Sequence, residues 1–489
     1  MIAAGIDVGT QSIKVLVYDS TAHKILADPS EPLELIEGED GLREQKAEWW
    51  IDGIRKCFSR IPEAVRKEIK VMAVSATQHS FVPMAADGSA LYNSKLWCDT
   101  STAAECVELE VKLGGRAKVA ERLGNPVLPG YTASKILWLK KNHPDIYDKM
   151  AWATVSGDFV NFYLCGKAVT ERGQASGTAL MDIFHGNWDE EAAKAISEDL
   201  LSKLPPIAEK DGIIGHVTEK AASELGLSTD CQVASGGGDN MMSAIGTGSV
   251  ADGIVTMSLG TSGTLFASSS KPFHDKENRL ASFCSSVNTW LPLLCTMNCT
   301  VTSETMRKLF GKDVKAFDQK AAEAGPGAGG LVMLPFLNGE RVPDYPHGEG
   351  VLLGMRQSNV TEENIARAAL EGVTYEFQLG LDAFRENGIE VNSLILTGGG
   401  AKSKIWRQLV ADMTGCPVKV PVITESAAFG AVLQGLWAIE GGTIGQIASE
   451  HIAYDEKKSA EPDLTYSDVY KACYERWLKY ADALGPIFR

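Results

Sequence analysis

No CxxC pair, no apolar run of membrane-spanning length and no basic surplus occurs in this 489-residue chain. Each absence excludes something. The ten cysteines are scattered, Cys295 and Cys299 coming nearest at four apart, so the spacing offers neither a zinc framework nor a disulfide scaffold and predicts reduced thiols. A formal charge of −16 argues against nucleic acid as the main partner, because neutralising a phosphate backbone needs a basic face. A nucleotide stays open, since a small site needs only local donors. The N-terminus MIAAGIDVGTQSIKVLVYD lacks a basic n-region and turns polar too early for a signal peptide. No membrane segment is expected either, and the chain reads as cytoplasmic. The sequons at Asn298 and Asn359 are then coincidental. A Walker-type phosphate loop is missing. Gly325, Gly327 and Gly330 match GxGxxG, but a helix-like segment precedes them and the strand-like LVMLPF follows, the reverse of the order a dinucleotide site requires.

What is present is the balance of a globular protein, 44% hydrophobic and 22% charged, at a length comfortable for two domains. Residues 2–7 and 13–18 read as two strands joined by a turn of Val8, Gly9, Thr10, Gln11 and Ser12. The pattern returns in VTMSLGTSGTLFASS, with Gly260 and Thr261 at the turn. Two copies near the start of each half suggest a two-lobed protein with related halves. Apolar periodicity predicts helices over 46–58, 100–113 and 403–414, and a long one over 361–386 that opens on an N-cap threonine followed by acids. Strands are expected at 71–76, 250–259, 331–334 and 394–396. The alternation indicates an α/β protein. The boundary is placed in 243–248, giving lobes 1–244 and 245–489.

Three glycine-centred turns sit at predicted strand ends: 7–10, 260–263 and 398–400. Glycine lets backbone N–H groups approach an anion, and threonine adds a hydroxyl. Singly each reads as an ordinary loop; together they suggest a polyphosphate site, with Gly398, Gly399 and Gly400 opening a helix toward the nucleotide. Asp7, at the polar end of its strand, is a candidate for magnesium through water, or caps its own turn. His79, after Gln78, is either a satisfied core histidine or a ligand. Trp97, Cys98 and Asp99 supply an aromatic and an acid of the kind that face a sugar. SGGGDNMMSAIGTG sets Asp239 behind Gly236, Gly237 and Gly238, either as a solvated turn acid or as a carboxylate meeting a ligand that the glycines admit. The same glycines are expected to give the acid room and a hinge-like backbone.

Over essentially its whole length the chain resembles the FGGY carbohydrate kinases. GYTASKILWLKKN, with Lys135 and Trp138, is similar to the family's first signature; GEGVLLGMRQSNVTEENIARAALE is similar to its second; LPFLNGERVPDY resembles its GER stretch. The resemblance implies two ribonuclease-H-like lobes of the actin-like ATPase fold around a central cleft, with ATP on the C-terminal lobe and the sugar mainly on the N-terminal one. It implies Asp239 as catalytic base and Asp7 as the magnesium-side acid. Gly9, Thr10, Gln11, Lys14, Gly260 and Thr261 fall on the phosphate side, and Gly398, Gly399, Gly400 and Ala401 on the adenosine side. Gln78, His79, Asp99, Asp239 and Asn240 fall on the sugar. GGGDN and WCDTST are most similar to the branch whose ketose is D-xylulose, which implies MgATP-dependent transfer to its C5 hydroxyl. Gln78, Cys98 and Ser101 depart from that branch on the sugar side, which keeps another ketose or a polyol open. A non-catalytic ATP-binding regulator is the reading outside the class. The family is often dimeric, so a homodimer is one expected assembly.

Overall fold

The computed structural model describes residues 1–208 and 212–489. Strands β1 (Ile2–Val8) and β2 (Ser12–Asp19) form the first hairpin, with Asp7 opposite Lys14 and Val8 opposite Ile13. Around them a sheet assembles from β3 (Lys24–Ala27), β4 (Ser30–Pro32), β5 (Ile69–Ala76), β6 (Ile213–His216), β7 (Gln232–Ala234) and β8 (Gly237–Gly238). Its order is β6-β7-β5-β1-β2-β3, with β4 on β2 and β8 on β5; β5 runs parallel to β1.

The second sheet repeats this plan. β9 (Gly253–Leu259) and β10 (Gly263–Ala267) form its hairpin, joined by β11 (Ala281–Cys284), β12 (Trp290–Thr296), β13 (Val391–Thr397) and β14 (Val418–Lys419) in the order β11-β12-β10-β9-β13-β14. In both sheets the hairpin's first strand pairs antiparallel with its partner on one side and parallel with a later strand on the other. The two related lobes expected from the repeated hairpin are therefore there.

Alternation along β1 sends side chains to two layers. Ala4, Ile6 and Val8 bury against Trp50, Ile54 and Phe58 of α1 (Ala47–Ser59). Each large side chain there contributes roughly 1.5–3 kcal/mol of burial. On the opposite face lie Ala3, Leu16 and Tyr18, and with them Ala428, Phe429 and Val432, buried in the same core. A helix α2 (Thr132–Asn142) carries the signature lysine, and α3 (Asp239–Thr247) follows β8. In the second lobe α4 (Glu362–Glu386) is capped by the Thr361 side chain, which accepts from Asn364 N, and α5 (Lys404–Thr414) by Ser403, which accepts from Trp406 N. Residues 243–248 lie within and just after α3, so they form no linker.

The last helix of interest, α6 (Ser426–Glu440), comes from the second half of the chain yet lies on the first sheet. A Cβ on Gly5 would stand 1.9 Å from Ala428 O. Helix α6 also crosses α3 at backbone contact: a Cβ on Gly430 would meet Met242 O at 1.7 Å, and one on Gly246 would meet Ser426 O at 2.0 Å. Only glycine permits that approach. None of the helices is long and apolar enough to cross a membrane, among the described residues, and the ten cysteines are unbridged.

Candidate active site

The second hairpin turn and the 398–400 turn meet at the carboxyl ends of β9 and β13. Gly398 has φ +81°, and a Cβ there would stand 2.6 Å from Leu259 O and 3.0 Å from Gly260 N. Gly399 faces open space, Gly400 packs on Leu259 and Trp406, and Ala401 is buried with its carbonyl accepting from Arg407 at 2.8 Å. Gly260, Thr261, Gly398 and Gly399 thus form one glycine-rich ledge, with Gly400 and Ala401 beneath it. Gln11 is exposed at the tip of the first hairpin, and Gly9 N donates to Ser12 O at 3.1 Å. Thr10 Oγ1 accepts from Trp97 Nε1 at 2.9 Å, which ties the phosphate-side turn to the sugar-side loop.

Asp239 is the first residue of α3. The glycines before it admit protein, not ligand: Cβ atoms on Gly236, Gly237 and Gly238 would meet Val74 O at 2.2 Å, Ser286 Oγ at 2.2 Å and Gln78 Cγ at 2.6 Å. Gln434 of α6 grips Gly236 at both its N–H and its carbonyl, each at 2.8 Å. The hinge-like freedom expected of this stretch is absent, because three close approaches and two hydrogen bonds fix it. That rigidity places the carboxylate. Oδ1 accepts from Asn240 N at 2.8 Å and Asn240 Nδ2 at 3.0 Å, while no protein donor reaches Oδ2 among the described residues. Burial first, and then the negative charge of Asp7, push the carboxyl up to about 7.

Asp7 stands at the end of β1, where Ser75 Oγ donates to Oδ1 at 2.8 Å and Oδ2 has no protein donor among the described residues. Desolvation lifts it to about 6, against the pull of Ser75 and Lys14. Lys14 itself is ion-paired with Glu425, the residue that precedes α6. Among the described residues no three His, Cys, Asp or Glu side chains form a metal cage. Magnesium does not need one: it keeps several waters and takes one or two carboxylates plus phosphate oxygens. Two facing carboxylates with a free oxygen each fit that requirement.

His79 is held in the left-handed region at φ +64°, a conformation costing about 1–3 kcal/mol outside glycine. Its carbonyl accepts from Lys135 Nζ at 2.6 Å and Thr132 Oγ1 at 3.2 Å, both on α2. Its ring stacks on Tyr131 at 4.4 Å. Nδ1 lies 2.5 Å from Gly177 O, and a carbonyl only accepts, so Nδ1 carries the proton. Burial holds the imidazole down to about 3. It is therefore neutral, with Nε2 left as an acceptor. Beside it, Gln78 Oε1 accepts from Asn240 Nδ2 at 3.4 Å, and its buried Nε2 has no partner among the described residues.

Asp99 is not brought to the cleft. It is fully enclosed, with Oδ2 accepting from Arg43 N at 2.8 Å and Lys95 Nζ at 3.4 Å, and Oδ1 from Ser101 N and Oγ at 3.1 and 2.6 Å. It shapes the loop that presents Trp97 and Cys98. Three residues without a role in the sequence reading do belong to the site. Glu425 neutralises Lys14, and Lys135 fixes the His79 backbone. Arg341 of the GER stretch is exposed, makes no ion pair among the described residues, and faces His79, Tyr131 and the Cys295 thiol across the cleft. Arg341 was within a quoted motif, whereas Glu425 lies 411 residues from Lys14 with no local pattern to mark it.

Comparison with known proteins shows the family and the fold. Residues 2–246 match the N-terminal domain, and residues 255–439 the C-terminal domain, of the FGGY family of carbohydrate kinases. A xylulose kinase of Haemophilus influenzae is 39% identical over 489 residues, covering 98% of this chain and 99% of the relative. The crystal structure of a xyloylose kinase from Brucella ovis superposes with a TM-score of 0.92 at 27% identity, over 100% of both chains. A gluconate kinase from Lactobacillus acidophilus superposes with a TM-score of 0.93 at 22% identity, over 100% of this chain and 99% of the other. At that identity the likeness shows the fold alone, and two sugars share it.

Proposed function

The chain belongs to the FGGY family of carbohydrate kinases, and on that premise we propose that it transfers the γ-phosphoryl group of ATP to the C5 hydroxyl of D-xylulose, with Asp239 as general base. The sugar is supported by the 39% identical xylulose kinase, which spans nearly the whole chain. The role of Asp239 is supported by its unengaged Oδ2, set on a rigid helix start beside a hydrogen-bond acceptor and a donor suited to a polyol.

A sugar hydroxyl donates to His79 Nε2 and another accepts from Gln78 Nε2. The terminal hydroxyl lies on Asp239 Oδ2, which takes the proton as the oxygen attacks the γ-phosphorus and the bond to the bridging oxygen of ADP breaks. Such a transition state is loose, so positioning and charge stabilisation carry most of the catalysis. The backbone N–H of Thr10 and those of the Gly260-Thr261 turn supply fixed donors for the phosphates, the Gly9 N–H being taken by Ser12 O. Asp7 would hold magnesium through water, and that ion would neutralise phosphate charge when bound. ADP is released from the Gly398–Gly399 ledge.

Asp239→Asn keeps size and hydrogen bonding to Asn240 but removes the base. Turnover is expected to fall about 10²–10⁴-fold, with ATP and sugar still binding by calorimetry; undiminished turnover overturns the assignment. A coupled ADP-release assay over D-xylulose, D-ribulose, L-fuculose and polyols is expected to give the highest kcat/KM for D-xylulose. A different winner would move the substrate and leave the kinase chemistry standing.

A further inference from the structure

Three metal-competent atoms from the two ends of the chain converge where β2 meets the segment after α6. Tyr18 lies on β2, His23 in the turn that follows it, and His451 at the end of the helix Ile444–His451, 428 residues beyond His23. Nδ1 of His23 lies 3.2 Å from Nδ1 of His451, and Tyr18 Oη lies 3.5 Å and 3.3 Å from those two nitrogens. The triangle is nearly equilateral. Ligands about 2.0–2.1 Å from a tetrahedral zinc ion stand about 3.3 Å from one another. An ion about 2.05 Å from all three atoms would sit about 0.7 Å off their plane, the height of a tetrahedron's centre above its face at that bond length.

The rings agree. Their centroids are 4.9 Å apart with planes at 37°, close to the roughly 5 Å of two imidazoles aimed at one ion through a near-tetrahedral angle. A linear hydrogen bond of this length along both ring axes would hold them about 5.5 Å apart. His23 sits at φ +49° in the turn after β2, a left-handed conformation that histidine enters more readily than most residues. Tyr18 and His451 are buried, while His23 is exposed. The three line a cavity of 360 Å³ that also takes in Glu450, Phe429 and Gly246. Glu450 and Asp19 bring negative charge to bear on the phenol, and Asp19 also lies 3.8 Å from the N-terminal ammonium.

We propose that Tyr18, His23 and His451 form a binding site for a divalent ion of the zinc class, distinct from the magnesium of the cleft, with its fourth position open to water. Imidazole nitrogen suits zinc, copper and nickel and is a poor match for magnesium, so the cleft's ion does not compete for it. The bound ion ties the β2–β3 turn to the segment that follows α6, beside Gly246 where α3 and α6 cross. Its function is a staple between the first sheet and the helix that follows α6.

The test uses the full-length chain, stripped with chelator and kept in millimolar Mg2+ so that the cleft is filled. Zinc titrated against a chromophoric chelator is expected to bind at one equivalent per chain, and Co2+ in its place to show the intense visible absorption of a tetrahedral ion. His23→Ala and His451→Ala are each expected to weaken zinc binding by at least the 10–100-fold that losing an outer-shell partner costs. His23 is exposed, so His23→Ala should fold, keep its Mg2+-dependent turnover and lose the rise in Tm that zinc gives the unaltered chain. Zinc binding absent from the unaltered chain, or equal in His23→Ala, overturns the site.

Discussion

At the scale of single residues, the two cleft carboxylates set the pH behaviour. Asp239 must be ionised to accept a proton, and its carboxyl stands at about 7. Below that value kcat/KM is expected to fall about tenfold per pH unit, on a limb that Asp239→Asn lacks. The same shift acts on stability with the opposite preference. An unfolded aspartate ionises near 3.9, so between about 4 and 7 the unfolded chain gives up a proton that the folded chain keeps. Stability therefore declines as pH rises through that window and is flat above it. Thermal unfolding should show Asp239→Asn melting higher than the unaltered chain at pH 8 and level with it at pH 4; no gap at pH 8 would contradict the shift. Both acids were legible because each stands alone beside glycine at a strand end or helix start. The role of His79 was half legible. The resemblance implies that it faces the sugar, but its tautomer is set by Gly177, 98 residues away. Asp99 misled for a related reason: its partners Arg43, Lys95 and Ser101 surround it only after folding.

At the scale of elements, the crossing of α3 and α6 carries Asp239, the proposed base. Gln434 on α6 pins Gly236, and Gly236 leads through β8 into Asp239. A Gly430→Ala substitution would press a methyl into Met242 O. Overpacking in a tight core costs about 1–3 kcal/mol, and here the obstacle is backbone, which yields less than a side chain. The expected result is a lower Tm and a lower kcat together, measured by calorimetry and the coupled assay; a variant with native Tm would show that the helices can part freely. Local patterns gave the hairpins at 2–18 and 257–268 and the helices at 46–58, 361–386 and 403–414, because strand alternation, N-cap residues and apolar periodicity are written within a dozen neighbours. That α6 leaves its own half and lies on β1 has no such local sign. It shows only as glycines whose partners, Gly5 with Ala428 and Gly246 with Ser426, are far apart in the chain.

At the scale of the whole molecule, the second lobe reaches toward the first through Arg341, whose positive charge bears on His79 and Tyr131 and which makes no ion pair among the described residues. A cation held beside the Cys295 thiol, at the edge of the proposed sugar site, is placed to engage the acceptor once the lobes meet. Arg341→Gln is expected to raise the sugar KM about tenfold or more, in keeping with the 1.5–3 kcal/mol of a charged hydrogen bond, with the ATP KM unchanged. Equal effects on both substrates would instead point to a loss of closure. The placement of α6 has a further outcome, in the order of synthesis. When residues 1–248 have left the ribosome, the face of β1, β2 and β5 that holds Ala3, Leu16 and Val71 still lacks its covering helix. Domains usually fold as they emerge, N-terminal first. This one is completed late: the inner face of its opening strands stays partly uncovered until α6 has emerged, so the nascent first lobe is the stage at which the chain gains most from a chaperone's protection.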